Sequence, residues 1–300
     1  MQKRQIARDL TYATSAKGAA GRTLIRVMEN ATGRIGLIKR AEGYADEVAA
    51  GQDFWRVITD RYGISVDVQS GALENIPAEG PLILVCNHPY GILDGLVLGR
   101  ILSERRGDTF RILANQVFQK SQDLNRVILP VSFDETKAAT KLNMQTRKDA
   151  LVHLAQGGAI GIFPGGTVST AARPFGAPVD PSWRTFTAKM IVKSNATVVP
   201  IYFEGHNSRL FQIASHLHYT LRMGLLMREF RAKIKAPVRV AIGAPISPAD
   251  IAARKTDPNA MMDFLRRATY ALAQDSVDRN RPGYEFEAKY KGRTHGSRHI

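Results

Sequence analysis

Between residues 46 and 275, short apolar, β-branched runs alternate with longer stretches of helical periodicity. PLILVC (81–86), FRILA (110–114), VILPV (127–131), AIGIF (159–163), TVVPIYF (197–203) and PVRVAI (237–242) read as strands. Several are apolar on both faces, the pattern of a sheet covered by helices on each side. Apolar residues at helical spacing fall near 46–61, 92–106, 137–156, 181–194, 208–231 and 258–275. This alternation predicts an α/β fold with a mixed, largely parallel central sheet flanked by helices. Upstream, AAGRTLIRVMENATGRIGLIKRAEGY reads as an N-terminal amphipathic helical segment with a basic face. The expected organisation is a basic helical segment over 1–42, one α/β domain over 43–278, and a basic, polar tail over 279–300, expected to be mobile.

Composition narrows the class. With 300 residues, 44% hydrophobic and 23% charged, the chain is globular and long enough for a large core. Its only cysteine, Cys86, excludes an internal disulfide and a thiolate zinc cluster, and fits a reducing compartment. The opening MQKRQIARDLTYATSAKG is basic with no apolar stretch behind it, so no secretory signal is expected. The longest uncharged stretch, Ala150–Ala172, contains Pro164 and five glycines and does not read as a membrane-spanning helix.

The net charge of +15 is concentrated in three places. Residues 1–40 carry a net +7, residues 205–235 a net +5 and residues 279–300 a net +4, leaving the rest near −1. Such segments attract anionic lipid or nucleic acid, and charge does not choose between them. In HNSRLFQIASHLHYTLRMGLLMREFRAKIK (206–235) one helix places Leu210, Phe211, Ile213, Ala214, Leu217, Leu221, Leu225 and Leu226 on an apolar face. Arg209, Arg222, Arg228 and Arg231 then reach outward, as in a helix that lies in a membrane interface. The same pattern fits a core-packed helix with a solvated face.

The chemistry centres on VCNHPYGILDGLVLG (85–99), where an apolar strand ends at Cys86 and a helix begins with Asp94 in its first turn. Asn87, His88 and Asp94 gather where strand hands over to helix, a usual place for function in an open α/β sheet. Histidine takes a hydroxyl proton near neutral pH, and a carboxylate on its other ring nitrogen fixes the tautomer. A helix-capping aspartate beside a hydrogen-bonded loop histidine is the plainer account of the pair. Further on, GGAIGIFPGGTVST (157–170) runs a strand into a Pro-Gly-Gly turn followed by Thr167, Ser169 and Thr170. It lacks the lysine of a Walker phosphate loop, which excludes a nucleoside triphosphatase. No Gly-x-Ser-x-Gly elbow is present. His216 and His218 lack a nearby ligand cluster, and no metal site is expected.

Together these stretches resemble the glycerolipid acyltransferase family that includes the lysophosphatidate acyltransferases. That family has an Asn-His with an aspartate shortly after, then a Phe-Pro-Glu-Gly-Thr-Arg-Ser block. Here Asn87-His88 and Asp94 match the first, and Phe163, 75 positions beyond His88, opens the second. VVPIYF (198–203) and IGAPISP (242–248) match two further family elements, so the resemblance covers roughly 64–250. It implies His88 as general base and Asp94 as its partner. It also implies an acceptor site formed by Asn87, Phe163, Pro164, Gly165, Gly166, Thr167 and Ser169, with Pro200 shaping the pocket. The reaction implied is direct attack of a lysolipid hydroxyl on an acyl thioester borne by acyl carrier protein or coenzyme A. No tightly bound cofactor is expected. With the basic segments added, the expected location is peripheral, on the anionic cytoplasmic face of an inner membrane.

Two departures shape the expected acceptor. The spacing from His88 to Asp94 is one residue longer than usual, as in the hemolysin-like branch that includes acyltransferases of ornithine-type aminolipids. The family's glutamate and arginine are replaced by Gly165 and Val168. That arginine is thought to grip an acceptor phosphate, so its loss points to a lyso-aminolipid of the ornithine type. Arg173, Arg184 or Lys120 are the candidates to restore the cation, and lysophosphatidate is the alternative acceptor. A basic nucleic-acid-binding protein is the rival from another class; no recognisable nucleic-acid motif accompanies the charge, and no nucleic acid is expected as partner.

Overall fold

The computed structural model describes residues 10–16, 18–116, 122–132, 134, 136–275 and 277–287. Four helices come first: α1 (Ala19–Ala31), α2 (Arg34–Ala41), α3 (Tyr44–Ala49) and α4 (Phe54–Tyr62). The body follows as β1 (Ser65–Gly71), β2 (Leu82–Cys86), α5 (Ile92–Arg106), β3 (Phe110–Asn115), α6 (Gln122–Asn125), β4 (Ile128–Val131) and α7 (Lys137–Ala155). It continues with β5 (Ala159–Ile162), β6 (Thr170–Ala171), β7 (Pro178–Val179), α8 (Phe186–Ser194), β8 (Thr197–Phe203), α9 (Arg209–Leu217) and α10 (Tyr219–Lys233). The last elements are β9 (Pro237–Ile242), α11 (Pro248–Ala252) and α12 (Pro258–Tyr270).

Seven strands form one sheet in the order β1-β9-β8-β2-β5-β3-β4. Every neighbouring pair is parallel except β8 and β9, so the sheet is mixed and largely parallel, as its sequence pattern predicts. All five residues of β2 are buried, which is why PLILVC shows no polar alternation. One apolar layer, including Leu82, Leu84, Leu93 and Val97, is covered by α4, α5 and the N-terminal helices. The other, including Ile83, Val85, Ile160 and Met190, is covered by α7, α8 and α12.

Several boundaries differ from the periodicity. The helix expected over 46–61 is two helices, because Gly51 takes φ 91° and Asp53 caps a new start by accepting from the Arg56 N–H. The helix expected over 208–231 is broken at His218, which is extended at φ −161° and accepts the Thr220 N–H on its ring. Within the expected mobile tail, residues 281–287 pack against the body. The Gly283 N–H donates to the Asp180 carbonyl, the Tyr284 N–H to the Thr170 carbonyl, and Arg184 forms ion pairs with Glu285 and Glu287. Residues 288–300 and Lys120 lie outside the described residues.

The N-terminal segment is pinned from inside. Glu29 of α1 is fully buried and accepts from the Thr11 hydroxyl and the Tyr12 N–H, both at 2.6 Å, with Arg26 and Arg34 at 3.8 Å. That holds Tyr12 beneath the loop before α5, where a Cβ on Gly91 would stand 3.4 Å from its hydroxyl. Replacing Glu29 with alanine strands the buried Tyr12 N–H, at a cost of about 1–3 kcal/mol. Thermal unfolding should show the lowered midpoint, and a midpoint unchanged from wild type would refute the pin.

Candidate active site

The loop between β2 and α5 is shaped by a buried carboxylate. Asp94 is inaccessible to solvent, and its Oδ2 accepts the N–H of Tyr90 at 2.8 Å and of Gly91 at 3.0 Å. Gly91 takes φ 98°, a conformation that L side chains rarely adopt, and this lets the longer loop fold back onto the helix start. The same Oδ2 lies 2.9 Å from His88 Nδ1, at ion-pair distance. Burial pushes the Asp94 carboxyl up from its ordinary value, and the His88 contact and the two N–H donors pull it back. With Nδ1 turned to the carboxylate, Nε2 is the nitrogen that remains for a substrate hydroxyl.

The Pro-Gly-Gly turn forms the other side. The Phe163 ring stacks on the His88 imidazole with centroids 4.3 Å apart and planes at 28°. The Gly166 N–H closes the turn onto the Phe163 carbonyl at 3.0 Å, and the Ser169 N–H donates to the His88 carbonyl at 2.7 Å. The structure thus brings Phe163 and Ser169 against His88, with Gly166 closing the same turn and Thr167 following it. Pro164 joins the turn, its carbonyl accepting the Arg184 N–H.

Other residues expected to bind the acceptor stand elsewhere. Asn87 is buried, and its amide exchanges both polar atoms with the Phe203 backbone, at 2.9 and 2.7 Å, so it ties β2 to β8 instead of facing a ligand. Pro200 sits inside β8 opposite Val85 and against Gly243. Arg173 is exposed in the turn between β6 and β7, and Arg184 is spent on Glu285 and Glu287. Cys86 is buried, and burial with Asp94 and Asp180 nearby pushes its thiol well up, which suits packing and not nucleophilic attack.

Two residues at the site escaped the sequence reading of roles. Asp180, fully buried just after β7, accepts from the Ser169 hydroxyl, from the His88 N–H at 3.1 Å and from the Trp183 indole at 2.9 Å. A Cβ on Gly165 would stand 3.2 Å from Asp180 Oδ2, so the carboxylate fills the room that a larger residue at 165 would need. Its signal in the sequence is isolation: Asp180 is the only acid between Asp149 and Glu204. The second is Arg222 of α10. It is not an outward-facing residue but a buried one, 3% exposed, with its guanidinium against Thr167, Val168 and Thr170.

Residues 46–280 match the family model described as Acyltransferase. The chain belongs to the acyltransferase family. Two curated relatives are lyso-glycine lipid O-acyltransferases. That of Phocaeicola vulgatus is 28% identical over 74% of this chain and 78% of its own length. That of Bacteroides thetaiotaomicron is 25% identical over 74% and 80%. Among solved structures, the 1-acyl-sn-glycerophosphate acyltransferase of Thermotoga maritima aligns with a TM-score of 0.44 at 17% identity, covering 74% of this chain and 78% of that one.

For an acyltransferase with this geometry, His88→Ala should abolish turnover while leaving the fold intact. Asp94→Asn should slow turnover by about 10²–10⁴-fold, the usual worth of a correctly held acid–base group. Single-turnover rates with circular dichroism alongside would check both; near wild-type turnover in His88→Ala would exclude the histidine as base.

Proposed function

We propose that this acyltransferase moves a fatty acyl group from an acyl thioester, on acyl carrier protein or coenzyme A, to the hydroxyl of a lysolipid. The observation that carries the reading is the buried Asp94 Oδ2 set 2.9 Å from His88 Nδ1. His88 Nε2 takes the proton of the acceptor hydroxyl as its oxygen bonds to the acyl carbon. The carbon–sulfur bond then breaks, and the imidazolium returns the proton to the departing thiolate. Asp94 stabilises the imidazolium in between, and no acyl-enzyme forms.

The acceptor we assign is a lyso-aminolipid without a terminal phosphate monoester. Val168 brings no donor to the turn, and bringing a phosphate dianion there without partners would be costly. The names of the two curated relatives support an amino-acid headgroup, and a glycine type over the ornithine type expected from sequence. Competition between lysophosphatidate and a lyso-glycine lipid for one acyl thioester, followed by product analysis, tests the assignment. The glycine product should dominate; exclusive formation of phosphatidate would overturn it.

We place the enzyme peripherally on an anionic cytoplasmic membrane face. No helix among the described residues is long and apolar enough to cross a membrane. Leu24, Val27 and Ile35 on α1 and α2, and Leu210, Leu217 and Tyr219 around α9 and the start of α10, are all about half exposed or more. Arg22, Lys39, Arg209 and Arg231 are exposed on the same helices. A surface of this kind seats apolar side chains at the acyl boundary while each nearby cation contributes about 1 kcal/mol against anionic lipid. In vesicle sedimentation, binding should favour anionic over neutral vesicles and weaken with salt; equal, salt-insensitive binding would defeat the electrostatic part.

A further inference from the structure

Arg222 presents an unusual electrostatic arrangement. Its guanidinium is buried, yet among the described residues no carboxylate lies within ion-pair distance. Its Nη1 donates to the Thr170 hydroxyl at 2.6 Å and the Ser215 hydroxyl at 2.8 Å. Its Nη2 donates to the Val168 carbonyl at 2.7 Å and the Thr167 hydroxyl at 3.1 Å. Phe211 and Phe286 lie against it at 4.9 and 4.4 Å. Every acceptor here is neutral. A buried cation without a counter-charge is expensive unless an anion arrives to share it. Burial accordingly pushes the guanidinium down to about 9.

Of the described groups that accept from Arg222, the one nearest solvent is Thr167. Unlike Thr170 and Ser215, this residue is partly exposed. Because its hydroxyl oxygen accepts from Arg222, its own hydrogen is left to donate, polarised by the charge behind it. Two residues on, the Ser169 N–H holds the His88 carbonyl, so the base and the cation flank one short segment, Thr167–Ser169.

We propose that Thr167, backed by Arg222, forms the anion-binding element that receives the carboxylate of the acceptor's amino-acid headgroup. The inference rests on the acceptor assigned above. An amino acid joined to a lipid through its amine keeps its carboxylate, and a single outward donor with one charge behind it suits that monoanion. A phosphate monoester, with a charge near −2 and three strong acceptor oxygens, asks for more donors than this outlet supplies. The cation missing at Val168 thus returns from α10, whereas Arg173 is exposed in the β6–β7 turn.

The test is an N-(hydroxyacyl)glycine against its methyl ester, which keeps the reacting hydroxyl and removes the charge. Wild-type enzyme should prefer the acid roughly 10- to 100-fold in kcat/KM, mostly through KM, as for a hydrogen bond to a charged group. Thr167→Val and Arg222→Gln should each drive that ratio toward one, and the double variant should lower it no further than either alone. A merely structural role would slow acid and ester alike and leave the ratio unchanged, which overturns the proposal. If Arg222→Gln fails to fold, Thr167→Val carries the test alone. Equal use of acid and ester by the wild type would overturn the anion site while the acceptor class stands. Acylation of lysophosphatidate with neither glycine compound used would overturn the acceptor reading and this inference together.

Discussion

A carboxylate sealed inside a protein stays ionised only if enough donors point at it, and the geometry around His88 follows from how Asp94 meets that condition. Its Oδ2 collects the Tyr90 and Gly91 N–H groups and faces His88 Nδ1, while its Oδ1 is buried with no partner among the described residues. Desolvation works to protonate the group, and those three contacts oppose it. The backbone donors require the loop to turn back over the first turn of α5, and the left-handed Gly91 permits this. A loop so held has little freedom to place the imidazole anywhere else, and Phe163 stacked on the ring removes more.

The turn from 163 to 170 depends on charges that come from distant parts of the chain. Gly165 and Val168 contribute no charge, yet a carboxylate abuts the first and a guanidinium holds the carbonyl of the second. Asp180 and Arg222 arrive from the far ends of β7 and of the α9–α10 corner, and neither touches the other's anchoring groups. The carboxylate secures the His88 side through Ser169 and the His88 N–H. The guanidinium secures the Thr167 side. Gly165 is what leaves room in the turn for the carboxylate.

Much of this was legible from periodicity. The strands TVVPIYF and PVRVAI, and the helix over 92–106, fall where their patterns put them, because β8 is buried along nearly its whole length, β9 buries alternate positions, and the helix carries a long apolar run into the core. The edge strand β1, SVDVQSG, did not stand out: its residues are only partly buried or exposed, and it is paired on one side alone. Strands of two residues such as β6 and β7 leave no period to read. The role of Arg222 was hidden for a different reason. A single helix through 206–235 places it with the outward arginines, but the extended His218 interrupts the turn count and resets which face of the second helix points inward. Local pattern carries no record of such a break, and none of a contact 55 positions away.

With His88 as the proposed base and Thr167 as the proposed anion-binding donor, the short segment Thr167–Ser169 also constrains what an acceptor can be. Three residues span at most about 10 Å even when fully extended. On that proposal the reacting hydroxyl and the headgroup anion lie close to each other in the bound lipid. A lysolipid with its hydroxyl a few bonds from an amino-acid carboxylate meets that limit, and one with the two groups at opposite ends of a long chain does not. Phe286, on the 281–287 segment, lies 4.4 Å from the Arg222 guanidinium and helps to bury it, where a charge is screened less than in water. Under the same proposal, selectivity is a matter of spacing as much as of charge, because the segment that holds the His88 carbonyl also carries the Thr167 hydroxyl backed by Arg222.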